Sequence, residues 1–157
     1  MDWEALVSEA VRVCEAGIRA GQSPFAAVIA RRDGAIVSAE HNTVRASCDP
    51  TAHAEVNAIR AAARVAGSIN LSGLVMFTTC EPCPMCAAAI HWARIDEVAW
   101  GATIADAEAG GFHELSLPCA EVYRIGGSGV RVAAGVGRAR CAALFAQWKA
   151  GPHPKPY

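Results

Sequence analysis

The sequence predicts a layered α/β protein with helices on both faces of one mixed sheet. Three observations carry that prediction. Helix-forming stretches alternate with short apolar runs of the buried-strand type, which is the pattern of a layered α/β domain. A hairpin signature near the start makes the sheet mixed rather than wholly parallel. The length of 157 residues fits one domain, 1–157, that buries a sizeable core without disulfide staples.

Taken in order, Trp3, Leu6, Val7, Ala10, Val11, Cys14 and Ile18 recur at helical spacing, with Asp2 as the expected N-cap and Gly21 as the stop. Phe25 to Arg31 and Ala35 to Ala39 are apolar runs flanking Asp33-Gly34, a tight-turn pair, and read as a β-hairpin. Polar and turn-forming residues over 40–50 predict a loop. Thr51 is the expected cap of a helix over Ala52–Ala66 closed by Gly67. Leu74–Thr78 reads as a buried strand, Met85–Arg94 as helix, and Glu97–Gly101 as strand. Between Ala102 and Gly129 repeated breakers leave no clear pattern. Val130–Val136 is a further candidate strand, and Arg138–Lys149 a last helix with Ala142, Leu144, Phe145 and Trp148 as its apolar positions. The tail 151–157 carries proline at alternate positions and is extended.

The chemistry-bearing stretch is Thr79-Cys80-Glu81-Pro82-Cys83-Pro84-Met85-Cys86, read with His53-Ala54-Glu55. Pro84 at a first helical position starts a helix with Cys83 and Cys86 on its opening turn. The positive end of that helix favours thiolates and hence metal binding. His53 supplies a third ligand. Three protein ligands on tetrahedral zinc leave one position for water, the mark of a catalytic site, and Glu55 is then free to act as base. A redox Cys-x-x-Cys pair is the competing reading of the two thiols, but it leaves His53 and Glu55 unexplained. Cys80 reads as a buried structural cysteine.

His-x-Glu followed by Pro-Cys-x-x-Cys is the pattern of the zinc-dependent nucleobase deaminases. The chain resembles the cytidine/deoxycytidylate deaminase superfamily over most of its length. Within it the match is closest to the small bacterial guanine deaminases, through Pro24-Phe25, Asp49-Pro-Thr-Ala-His-Ala-Glu55, the cysteine stretch, Ala89-Ile-His-Trp-Ala-Arg94, Ala107-Glu-Ala-Gly110 with Phe112, and a tail ending in Tyr157. The resemblance implies a cytidine deaminase-like α/β/α fold with a mixed five-stranded sheet and one Zn2+ per subunit. It also implies a homodimer in which the segment 151–157 contacts, or is exchanged into, the partner subunit. The implied reaction is hydrolytic deamination of a free aminopurine, guanine to xanthine and ammonia, with Glu55 moving the protons.

Asn42, Phe25, Trp92, Tyr157 and the acidic residue after Phe112 are the implied base contacts. Here that acidic residue is Glu114, in a His113-Glu114 pair where some relatives carry two aspartates. Three of them also have plainer readings: Asn42 closes a turn, and Phe25 and Trp92 pack in a core.

Composition narrows the alternatives. Net charge is −1 and the only lysines are Lys149 and Lys155, so nucleic acid is a disfavoured partner, and with it a tRNA adenosine deaminase as the runner-up reading. Deamination of cytosine, a nucleoside or another amino-substituted heterocycle, and a non-catalytic zinc scaffold, are the remaining alternatives. No apolar run approaches a membrane span, the acidic start resembles no leader, and seven cysteines, an odd number scattered except for Cys80, Cys83 and Cys86, argue against a disulfide framework; a cytoplasmic protein is expected.

Overall fold

Strand β3 (Leu74–Cys80) is the centre of the molecule, and six of its seven residues are buried. Its first four residues, Leu74–Phe77, are a continuous apolar run because helices cover both faces of the sheet, and Thr78 and Thr79 follow as buried polar residues. The alternation survives in what each side chain meets: Val75 and Phe77 pack with one cluster, Met76 with the other. The structure, a computed structural model, describes residues 1–151 and 154–156.

Five strands pair in the order β2-β1-β3-β4-β5. β1 (Ala26–Arg31) runs antiparallel to both β2 (Ile36–His41) and β3, whereas β4 (Glu97–Ala102) and β5 (Arg131–Ala133) run parallel to β3. The mixed five-stranded sheet is therefore as expected. β5 is shorter than the expected 130–136, because the chain leaves the ladder into Gly135 and Gly137, both at positive φ.

One face is covered by α1 (Glu4–Arg19) and α7 (Arg138–Lys149), which contribute Leu6, Val7, Ala10, Cys141, Phe145 and Trp148. Asp2 accepts from the Glu4 amide at 3.0 Å but stands one residue before the cap position, which Trp3 occupies. The other face is covered by α3 (Ala54–Ala66), α4 (Pro84–Trp92) and α6 (Cys119–Gly126). Ala54, Ala58 and Ala62 recur four apart on the buried side of α3, and their small side chains let its backbone lie close to the sheet. Close approach on the opposite face needs Gly101, where a Cβ would stand 2.3 Å from Cys141 Sγ.

Three departures matter for the site. The 40–50 loop contains a short helix, α2 (Val44–Ser47), ended by Cys48 at φ 53. The 102–129 stretch contains α5 (Ile104–Ala109) as well as α6. Finally, α3 starts at Ala54 rather than Ala52. The Thr51 hydroxyl is taken by Asp49 Oδ1 at 2.7 Å and does not cap, so His53 becomes the N-cap residue in an extended conformation.

Candidate metal centre and active site

Two helix N-termini and one strand end define the site. β3 stops at Cys80, the chain turns through Glu81 and Pro82, and Cys83 is the N-cap of α4 with Pro84 at its first position. Cys86 then lies on the first turn and is fully buried. From the other side α3 begins just after His53. The turn before α3 is fixed by Asn57, whose Nδ2 donates to His41 O, Thr43 Oγ1 and Ala52 O at 3.0, 2.9 and 3.2 Å. Asn57 is a structural clamp that sequence reasoning missed; a lone amide one turn after His53 in an alanine-rich helix was its signal.

The ligand atoms of His53, Cys83 and Cys86 all lie within 4.8 Å of one another. His53 Nδ1 is 3.7 Å from Cys83 Sγ and 3.5 Å from Cys86 Sγ. Tetrahedral zinc with bonds of about 2.3 Å to sulfur and about 2.0 Å to nitrogen sets such distances at roughly 3.6 Å. The residues therefore fit a zinc ion, by atom type and by spacing.

Without a cation the three groups share protons. The Cys83 thiol is lowered to about 4 by hydrogen bonding from Cys86 and, against the opposing effect of burial, from His53. Cys86 is pushed up by its bond to Cys83 and by burial. Burial alone would lower the His53 pKa, but its bond to Cys83 and the charges of Glu55, Cys83 and Glu114 outweigh this and raise it. A divalent cation displaces these protons and takes the thiolates.

Glu55 is the second residue of α3, buried to 7% exposure beside the cluster. Burial raises its carboxyl to about 7; the Cys83 charge adds to the rise and His53 opposes it. Because His53 is extended rather than helical, helical spacing does not hold it and Glu55 on different faces, and both border the same cavity.

That cavity has a volume of about 280 Å³. It brings His53, Glu55 and Cys83 together with Phe25, Asn42 and Glu114. Asn42 is fully buried at the end of the hairpin; its Oδ1 accepts from Val44 N at 3.1 Å and its amide donates to Phe25 O at 2.9 Å. Phe25 stacks edge-on against Phe112 at 4.9 Å and Phe145 at 5.8 Å, and Phe112 meets Trp148 at 4.8 Å, so α7 buttresses the cavity wall. Burial raises the Glu114 carboxyl, as does the Cys83 charge.

Cys80 is buried and also lines the cavity, a placement its structural reading did not include. His113 lines the cavity as well. Among the described residues no arginine or lysine lines it.

Trp92 stands apart from this group. It is 77% exposed at the C-terminal end of α4 and does not line the cavity of its own chain, because α4 runs outward from the metal cluster. Tyr157 lies outside the described residues.

Comparison with known proteins agrees with this geometry. Residues 1–102 match the family model of the cytidine and deoxycytidylate deaminase zinc-binding region. A guanine deaminase of Bacillus subtilis (strain 168) is 46% identical over 115 residues, 73% of each chain. A tRNA-specific adenosine deaminase of Aquifex aeolicus is 37% identical over 102 residues, 65% of this chain and 67% of that one. The solved guanine deaminase of Nitrosomonas europaea superposes with a TM-score of 0.85 at 28% identity, covering 92% of this chain and 82% of that one. The match to the family model over 102 of 157 residues, together with a His-Cys-Cys cluster that fits zinc, shows that the chain belongs to the zinc-dependent cytidine and deoxycytidylate deaminase family.

Proposed function

We propose that this deaminase converts guanine and water to xanthine and ammonia. One observation carries the reading: a single cavity joins the zinc-fitting cluster and Glu55 to Phe25, Asn42 and Glu114. An aromatic face, an amide and a carboxylate are what a flat heterocycle rich in N–H donors requires. The cavity's lack of cationic side chains among the described residues favours an uncharged base over a substrate carrying phosphate. The likeness to guanine deaminases of two organisms points the same way.

In this reading His53, Cys83 and Cys86 hold the metal. Zinc bound there supplies a Lewis acid that makes hydroxide available at neutral pH. Glu55 accepts a proton from the attacking water and delivers it to the ring nitrogen next to the amino-bearing carbon, then takes the proton of the newly added hydroxyl and passes it to the amine, which departs as ammonia as the carbonyl forms. Burial raises the Glu55 carboxyl, the direction that suits a group taking and returning a proton near neutrality. Asn42 and Glu114 orient the base by hydrogen bonds while Phe25 packs against it.

The assembly belongs to the same proposal: a cytoplasmic homodimer in which exposed Trp92 and the tail through Tyr157 serve the neighbouring subunit. Among the described residues no helix is long and apolar enough to cross a membrane.

The experiment is ammonia release by zinc-loaded protein from guanine, guanosine, adenine, adenosine, cytosine, cytidine and a tRNA anticodon stem-loop. Release from guanine in preference to the others supports the proposal. Preferential release from the stem-loop, with binding that falls steeply as salt rises, would replace it by the tRNA reading.

A further inference from the structure

Glu81 sits inside the cysteine stretch, yet neither metal binding nor proton transfer uses it. Its backbone amide donates to Ala102 O at 2.9 Å, which fixes the turn after β3 to the end of β4. Its Oε1 accepts from the amide of Cys119 at 3.0 Å, thirty-eight residues along the chain. Cys119 is the first residue of α6, and the N-cap position before it is Pro118, which makes no side-chain cap bond. Glu81 thus supplies from a distant loop what a local Ser or Asp cap would supply, and places negative charge at the positive end of the helix.

The segment held by that bond is 113–118, which joins α5 and Phe112 to α6. Its His113, Glu114 and Leu115 line the cavity. At its start Phe112 is clamped among Phe25, Phe145 and Trp148. Within the segment Leu117 N bonds Leu115 O at 2.7 Å and Ser116 Oγ bonds Glu108 at 3.2 Å. Leu115 and Leu117 are 66% and 41% exposed, so little apolar burial holds this irregular stretch in place. The segment is thus held at its two ends, by the Phe112 clamp on one side and by the Cys119 anchor on the other.

We propose that Glu81 is a positioning residue, which through the Cys119 amide sets the 113–118 segment so that Glu114 faces the substrate. The inference rests on reading the cavity as the substrate pocket. Glu81 itself also borders the cavity, but its Oε1 is engaged by the Cys119 amide, and in this proposal it acts through Glu114.

The test is steady-state kinetics on guanine with Glu81→Ala, Glu81→Asp, Glu81→Gln, Glu114→Ala and the Glu81→Ala/Glu114→Ala pair, with zinc content and amide hydrogen exchange over 113–120. Glu81→Ala is expected to raise KM about tenfold, the size of one charge-assisted hydrogen bond, with kcat little changed and zinc retained. Glu81→Asp, one methylene short, is expected to do the same if the alanine variant folds poorly. Glu81→Gln keeps an acceptor oxygen and should recover most of the loss. In the Glu114→Ala background the alanine change should cost little more, because both remove one contact. Exchange over 115–120 should quicken in Glu81→Ala and Glu81→Asp.

Additive effects of the two substitutions, or loss of zinc in Glu81→Asp, would overturn the proposal. Exchange needs no turnover, so it decides the matter even in a protein inert to guanine: unchanged protection at 115–120 sinks the anchor, whereas inertness alone sinks the substrate reading.

Discussion

His53 Nδ1 stands 3.5 Å from Cys86 Sγ across thirty-three residues of sequence, a contact made at the facing N-termini of α3 and α4. Neither residue could be swung to this point from mid-helix. The N-cap positions of His53 and Cys83 free both side chains from helical spacing, and the helix ends contribute positive potential where thiolates gather.

Cys86→Ser is expected to leave the protein without stoichiometric zinc after gel filtration, as measured by elemental analysis, while the α/β core persists. Zinc can stabilise the folded chain only by the free energy of its binding, and a chain of this size does not need a metal to fold. Retention of one zinc per chain would remove Cys86 from the ligand set.

Asp106 gives a prediction in pH. It accepts from Thr103 N, Thr103 Oγ1 and both Arg138 Nε and Nη2 at 2.8, 2.9, 3.0 and 2.9 Å, completing a capping box at the start of α5. The Arg138 bond first, and against the opposing effect of burial the Thr103 bonds, lower its carboxyl to about 2. The folded state therefore binds fewer protons than the unfolded chain. The stabilisation is fully present above about pH 4, where the unfolded carboxyl is ionised, and is lost as pH falls toward 2. Asp106→Asn should cost about 1 kcal/mol at neutral pH, because the bonds from Thr103 N and Thr103 Oγ1 lose their charged acceptor while the Thr103 cap bond itself stays, and an exposed arginine pair adds little. Urea melts should show that difference shrinking between pH 4 and pH 2; a difference constant across that range contradicts the assignment.

Gly101→Ala tests the packing of α7 on the sheet. The added Cβ would stand 2.3 Å from Cys141 Sγ and 2.5 Å from Cys141 Cβ, so the helix must move. A loss of about 1–3 kcal/mol is expected in chemical denaturation. Because α7 carries Phe145 and Trp148 behind Phe25 and Phe112, KM for guanine should rise as well. Cys141→Ala in the same chain opens the space and should recover part of both losses.

Much of this was legible in the sequence. The helix over 138–149, the hairpin, the strand before the cysteines and Pro84 opening α4 follow from local spacing and turn chemistry, and the structure has them. The start of α3 was not legible, because Asp49 competes for the Thr51 hydroxyl and only the folded turn shows which contact wins. In the 102–129 stretch α5 does have a local signal, the Thr103-x-x-Asp106 capping box, which the breakers around it obscured, whereas α6 has none. α6 takes its cap from Glu81, far away in sequence, and so carries no local start signal. The grouping of His53, Glu55, Cys83, Asn42, Phe25 and Glu114 around one cavity was expected from resemblance rather than periodicity, since long-range convergence leaves no trace in spacing. Trp92 was expected at the base and lies exposed outside the cavity; an aromatic in a helical pattern does not say whether it faces a pocket or solvent.

The most direct test of the account is kcat for guanine, with bound zinc measured on the same samples, in the wild type and in Glu55→Gln. The account predicts one zinc per chain in both proteins and a fall in kcat of roughly 10²-fold or more in the variant, the contribution of a general acid and base. A zinc-loaded Glu55→Gln protein with near-normal turnover would contradict it, and proton transfer would have to be assigned to another group in the cavity.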